Sequence, residues 1–171
     1  MEDLKTLIRS IPDFPQKGIL FRDITTLIKD KEHFKIAIDE LGARYIDKKI
    51  DSLAAIEARG FIIAGALAHK LGCAIIPVRK KGKLPAETYQ VTYDLEYGTD
   101  TLEVHRDAIK PKDRVLIVDD LLATGGTARA VIDLVNKLQG EIVELTFLIE
   151  LTDLKGREKL KDYPVFSLIK Y

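Results

Sequence analysis

The chain has a single cysteine, no net charge, and no apolar run of the roughly 18 residues that a membrane-spanning helix requires. One thiol excludes a disulfide framework, and Cys73, set between Gly72 and Ala74, reads as a structural residue. With 27 Lys+Arg against 27 Asp+Glu, no global field draws the protein to nucleic acid or to an acidic membrane, so any basic site must be local. The Met1-Glu-Asp-Leu-Lys start lacks the basic segment and apolar core of a secretory signal, which sets the expectation of a cytoplasmic protein. Two nucleotide-binding signatures are also missing, the Gly-x4-Gly-Lys-Ser/Thr loop and the Gly-x-Gly-x-x-Gly fingerprint. No repeat, low-complexity tract or linker interrupts the chain.

What is present is the composition of a globular protein, 46% apolar and 32% charged over 171 residues, which predicts one domain spanning 1–171. The densest signal is Val115-Leu-Ile-Val-Asp-Asp-Leu-Leu-Ala-Thr-Gly-Gly-Thr127. Four large apolar residues predict a short buried strand, and two carboxylates close it. Successive strand residues point to opposite faces, so Asp119 and Asp120 cannot do the same job in the same place. Ala123, Thr124, Gly125, Gly126 and Thr127 carry no bulky side chain, so their backbone N–H groups can wrap an anion while two hydroxyls add bonds from the side. Ala128, Val131, Ile132, Val135 and Leu138 then form one helical stripe, whose N-terminus aims at the same point and favours an anion by roughly 0.3–1 kcal/mol. Carboxylates ahead of a phosphate loop suit a ribose 5-phosphate.

The remaining chain reads in order. Leu4, Leu7 and Ile8 have helical spacing, and Pro12 and Pro15 impose an extended segment. Ile19-Leu20-Phe21 lies outside any periodic element and fits either an apolar flap or a packing segment. Asp30 caps a helix over about 31–47, with Phe34, Ala37, Ile38, Leu41 and Tyr45 as its stripe. Ser52 to Ile56 predicts a strand, Phe61 to Leu71 a helix closed by Gly72, and Ala74 to Val78 another strand. Arg79-Lys-Lys-Gly-Lys83 follows it; a charge run is often only a solvated loop, but open α/β sheets bind ligands beyond the carboxyl ends of their strands. Alternation from Tyr89 to Tyr97 predicts a β excursion of the kind that forms lids, with a hairpin turn at Glu96-Tyr97-Gly98. His33 reads as a solvated first-turn residue, His69 as a favourable cap near the end of its helix, and His105 has no evident metal partner. Strands at about 142–151 and 165–169, with a short helix between them, complete an alternation that predicts α/β architecture with a mostly parallel sheet.

The run from Val115 to Thr127 resembles the 5-phosphoribosyl-1-pyrophosphate (PRPP) motif of the type I phosphoribosyltransferases. Pro15 to Asp23, Glu57-Ala-Arg-Gly-Phe61, Arg79 to Pro85, Leu95-Glu-Tyr-Gly98 and Glu150 to Leu160 resemble the adenine-specific branch of that family, and with the intervening pattern the likeness covers nearly the whole chain. It implies the type I fold, with a small N-terminal hood (1–30) and a flexible β lid loop (79–104). Asp119 and Asp120 would face the ribose, and Ala123 to Thr127 would hold the 5′-phosphate. Phe21 would stack on the purine while main-chain groups of Leu20 and Arg22 read its edge. Backbone C=O and N–H match the 6-amino group and N1 of adenine, and a 6-oxopurine presents the opposite pattern.

The resemblance further makes Glu57-Ala58-Arg59-Gly60 a pyrophosphate loop with a cis peptide, placed at Ala58-Arg59. Glu57, Ala58, Arg59, Arg79, Lys80 and Lys83 would surround pyrophosphate, some of the cations reaching across a homodimer interface. Arg59, Lys83 and Glu96 are the implied catalytic residues, with Glu96 handling a purine proton. Mg²⁺ is the implied cofactor, carried by PRPP without an assigned protein ligand. Ala86-Glu87-Thr88 departs from the common family spelling, which often has glycine after Pro85. The implied reaction makes AMP and pyrophosphate from adenine and PRPP, and neither nucleic acid nor membrane is an expected partner. A PRPP-binding transcriptional regulator would need a DNA-binding extension that this chain does not spare. A 6-oxopurine enzyme of the same fold is the nearer alternative.

Overall fold

Ser52-Leu-Ala-Ala-Ile56 offers water no polar face, and all five residues are buried in a strand, as expected of an interior strand covered on both sides. The computed structural model describes residues 4–94 and 98–171. Among them the strands are β1 (Arg9–Pro12), β2 (Leu20–Asp23), β3 (Ser52–Ile56), β4 (Ala74–Lys80), β5 (Thr88–Asp94), β6 (Thr99–His105), β7 (Arg114–Leu122), β8 (Glu141–Glu150) and β9 (Val165–Lys170). The helices are α1 (Thr25–Ile28), α2 (Lys31–Tyr45), α3 (Arg59–Leu71) and α4 (Gly126–Lys137).

Seven strands make one sheet in the order β5-β6-β4-β3-β7-β8-β9. The run from β4 to β9 is parallel, whereas β5 and β6 form an antiparallel extension that meets β4 through Arg79↔Glu103 and Lys80↔Leu102. Alternate side chains feed two cores. Ala54, Ile56, Val115, Ile117 and Phe147 pack with α4 on one face; Leu53, Ala55, Leu116, Val118 and Leu148 pack with α2 and α3 on the other. Asp30 caps α2 by accepting from the Glu32 and His33 N–H groups, and Gly72 closes α3 in the left-handed conformation. The parallel strands bring the ends of β3, β4, β7 and β8 to one side of the sheet, where such folds carry their sites.

The structure departs from the sequence expectations in places. Leu4–Leu7 is a 3-10 turn, and the following residues enter β1, which pairs antiparallel with β2 through Arg9↔Asp23 and Pro12↔Leu20. β4 runs past Val78 through Arg79 and Lys80 because β6 supplies their backbone partners. The expected helix after β8 is two 3-10 turns, Thr152–Leu154 and Gly156–Leu160, separated by Lys155 at φ +52°. The region assigned to a lid is anchored in the main sheet as β5 and β6. Residues 95–97, on which the expected hairpin turn at Glu96-Tyr97 and the role of Glu96 fall, lie outside the described residues.

Candidate active site

β7 continues beyond its apolar run because it stays paired with β8 as far as Leu122↔Glu150, so both carboxylates leave from an extended strand end. They diverge as strand geometry requires. Asp119 lines a pocket of about 70 Å³ together with the loop from Ala123 to Thr127. Asp120, only 5% exposed, lies with its Oδ2 2.8 Å from Arg59 Nε at the start of α3. The Asp120 N–H donates to Asp119 Oδ1 at 2.8 Å. Burial pushes both carboxyls above the ordinary range; the neighbouring Asp120 charge raises Asp119 further, while Arg59 pulls Asp120 back down. Gly60 lets α3 approach this strand end, since a Cβ there would sit 3.0 Å from Asp119 Oδ1 and 3.2 Å from the Val118 carbonyl oxygen.

The loop beyond β7 turns through Gly125 at φ +80° into α4. The same pocket is lined by Ala123, Thr124, Gly125, Gly126 and Thr127, at the helix N-terminus where amides and dipole favour an anion. Two supports of this loop escaped the sequence reading. A Cβ on Gly125 would lie 2.5 Å from the Gly156 carbonyl oxygen, and one on Gly156 would lie 2.3 Å from the Ala123 carbonyl oxygen, so the two backbones touch directly. The Thr127 hydroxyl donates to Tyr93 Oη at 3.4 Å, tying β5 to the loop. The Tyr93 signal was present as strand alternation; the Gly156 contact, being long-range, left none.

A larger cavity of about 610 Å³ adjoins the loop pocket, sharing Leu121 and Ala123 with it. Leu20, Phe21 and Arg22 of β2 line it together with Leu151, Leu154 and Tyr171 from the last part of the chain. The Phe21 ring meets Phe14 edge-on, centroids 5.0 Å apart, and the Arg59 guanidinium carbon lies 5.1 Å from its centroid.

The cis peptide of the Glu57 loop joins Glu57 to Ala58, one bond earlier than the expected Ala58-Arg59 position. The basic cluster is also more neutralised than its sequence suggests. Arg79 Nη2 donates to Glu57 Oε2 at 3.1 Å, and the Lys80 N–H donates to the other oxygen of that carboxylate. Glu57 therefore holds the end of β4 in place. Lys80 Nζ pairs with Asp100 Oδ2 at 2.9 Å. Lys83 is exposed, and its ammonium has no ion-pair partner among the described residues. The Lys83 and Leu84 N–H groups each donate to Glu103 Oε1 at 2.9 Å, which fixes the turn that carries it. Among the described residues no group of three or more His, Cys, Asp or Glu could hold a metal ion, and no helix is long and apolar enough to cross a membrane.

A mostly parallel sheet in which an interior strand ends in two carboxylates and a small-residue loop, beside an aromatic-walled cavity, defines an α/β protein of the ribose-phosphate-binding class. Comparison with known proteins narrows this. The family model described as the phosphoribosyl transferase domain matches residues 25–171. Adenine phosphoribosyltransferase of Trichlorobacter lovleyi is 59% identical over 171 residues, covering 100% of both chains. The crystal structure of adenine phosphoribosyltransferase from Thermoanaerobacter pseudethanolicus superposes with a TM-score of 0.96 at 53% identity, covering 99% of each chain. That of the Saccharomyces cerevisiae protein, complexed with an imino-altritol bisphosphate and adenine, gives a TM-score of 0.91 at 42% identity over 96% of each chain. The chain belongs to the phosphoribosyltransferase family, in its adenine phosphoribosyltransferase branch.

Proposed function

We propose that the protein transfers the 5-phosphoribosyl group of PRPP to N9 of adenine, giving AMP and pyrophosphate. The observation that carries this reading is the adjacency of the two cavities: a small-residue loop pocket that Asp119 also lines and an aromatic-walled chamber share Leu121 and Ala123 in their walls. One ligand with a phosphate at one end and a base at the other fits that layout. The yeast relative binds adenine together with a bisphosphate, which supports the same assignment here.

In this reading Ala123 to Thr127 hold the 5′-phosphate and Asp119 and Asp120 anchor the ribose hydroxyls. Phe21 stacks on the purine. Among the described residues β2 is paired on one edge, by β1, which leaves backbone groups on its other edge to pair with the purine through Leu20 and Arg22. The C1′–oxygen bond to pyrophosphate breaks as the N9–C1′ bond forms, through an oxocarbenium-like sugar of the kind met in glycoside chemistry. Arg59 and Lys83 offset the charge of the leaving group, with Ala58, Arg79 and Lys80 shaping its surroundings, and fixed positioning of ribose and base lowers the barrier further. Glu96 manages the purine proton.

Mg²⁺ is the cofactor in this proposal. Two carboxylates without a third suit an ion that keeps its waters and binds mainly through substrate oxygens. When bound, it supplies counter-charge to the pyrophosphate. The protein acts in the cytoplasm as a homodimer; exposed Ile62 on α3 (46%) and Ile75 on β4 (41%) offer apolar surface for self-association. The test is an assay of purified protein with PRPP, Mg²⁺ and each purine base. AMP from adenine, with no turnover of hypoxanthine or guanine, is expected; the reverse preference would overturn the base assignment.

A further inference from the structure

We propose that Tyr171 is a positioning residue for the base site, its ring holding Arg22 and, through Arg22, the β2 segment assigned to purine recognition. The inference deepens the functional reading above and rests on it. Arg22 Cζ lies 3.7 Å from the Tyr171 ring centroid, within stacking range of a guanidinium on an aromatic face. Both side chains line the cavity that contains Phe21.

The other contacts of Arg22 show why the ring matters. Its Nη1 donates to Ser10 Oγ on β1, but Nε is buried with no hydrogen-bond partner. β2 belongs to a two-stranded ribbon outside the main sheet, so ladder bonds to β1 do not fix it against the domain. Beside the Arg59–Phe21 approach and the buried Ile24 that follows the strand, the stack of Arg22 on Tyr171 is one of the contacts that attach β2 to the domain.

Tyr171 is itself fixed from the main-sheet side. Its N–H donates to the Glu150 carbonyl oxygen, and the Thr152 N–H donates to the Tyr171 oxygen, both at 2.9 Å. Its hydroxyl donates to the Lys5 carbonyl oxygen at 3.1 Å, and Lys5 Nζ lies 4.4 Å from the ring centroid. The ring thus connects the end of β8 to both the N-terminal turn and β2. Displacing it loosens one wall of the base cavity. The phosphate loop, held by Gly156 and Tyr93, does not depend on that wall.

Steady-state kinetics with adenine and PRPP varied separately test this, on the wild-type protein and on Tyr171→Ala, Tyr171→Leu and Tyr171→Phe. Tyr171→Ala and Tyr171→Leu are expected to raise the KM for adenine about tenfold, equivalent to about 1.4 kcal/mol, with kcat and the PRPP KM within about twofold. Tyr171→Phe, which keeps the ring, stays within about twofold throughout. An unchanged adenine KM in Tyr171→Ala, or a parallel rise in both KM values, overturns the proposal, as does a Phe variant as impaired as the Ala variant. Amide exchange across Leu20–Asp23 reads the clamp independently of turnover. Faster exchange in Tyr171→Ala than in wild type is expected, and equal exchange refutes it. Failure of the wild-type protein to make AMP would sink the functional reading instead, and the exchange result would still decide whether Tyr171 holds β2.

Discussion

Arg59 Nε stands 2.8 Å from Asp120 Oδ2 while the same guanidinium lies 5.1 Å from the Phe21 ring centroid. One cation thereby joins a buried strand-end carboxylate to the ring assigned to the base. Removing it leaves Asp120 buried without its counter-charge and raises that carboxyl further, since Arg59 is what lowers it. Arg59→Ala should reduce kcat/KM by well over tenfold, each decade being about 1.4 kcal/mol of barrier. The acidic limb of its pH profile should also move to higher pH. A profile unchanged in shape would show that Asp120 does not feel Arg59.

Asp119 trades stability for its position. Burial and the Asp120 charge raise its carboxyl above the ordinary 3.8. The folded protein then binds a proton more tightly than the unfolded chain, and stability falls as pH rises from about that value through the raised one. Asp119→Asn keeps an oxygen for the Asp120 N–H and removes the buried charge. Its melting temperature should exceed that of wild type at pH 7, with the difference shrinking as pH falls toward 3.8. Its activity should fall more than tenfold. Circular dichroism melts at several pH values and the AMP assay check both.

Gly125→Ala and Gly156→Ala each place a methyl group against backbone, 2.5 Å and 2.3 Å from a carbonyl oxygen. Backbone cannot rotate away as a side chain can, so the loop must shift. Both variants should raise the PRPP KM about tenfold or more and lower the melting temperature. Gly82→Ala supplies a comparison, because that glycine, like Gly125, has positive φ yet meets nothing within 4 Å. It should affect stability through backbone strain alone.

Lys83 and Arg79 separate charge from scaffold. Lys83→Ala removes an exposed ammonium without a partner among the described residues, so stability should stay within about 0.5 kcal/mol while activity falls about tenfold. Arg79→Ala strips Glu57 of the guanidinium that holds it, and should lower both stability and activity. Urea denaturation beside kinetics distinguishes the two; a Lys83 variant with full activity would remove it from the catalytic set.

Much of this could be read from the residues because local pattern and tertiary role agreed. Of the stripe Phe34, Ala37, Ile38, Leu41 and Tyr45, the last four are buried as helical spacing predicts and Phe34 is half-buried, and Asp30 caps the helix as its chemistry demands. The Val115 to Thr127 motif becomes a strand, a carboxylate pair and a loop opening α4. Long-range partners decided the rest. β4 extends through two charged residues because β6 pairs with them, and β1 forms only because β2 lies alongside. Charge in the basic run is answered by Glu57 and Asp100, 22 and 20 residues away from Arg79 and Lys80. Neither spacing nor residue type announces such pairs.

The direct contact between Gly125 and Gly156 carries a thermodynamic consequence. Two backbones pressed together with no side chain between them have few alternative arrangements, so the anion loop is ordered when the protein folds. On the proposed reading, a phosphate arriving there would meet amides already in place, and more of the free energy of its hydrogen bonds would go into affinity because less ordering cost is left at that moment. The entropy was spent during folding, through a contact whose second member, Gly156, lies outside the loop.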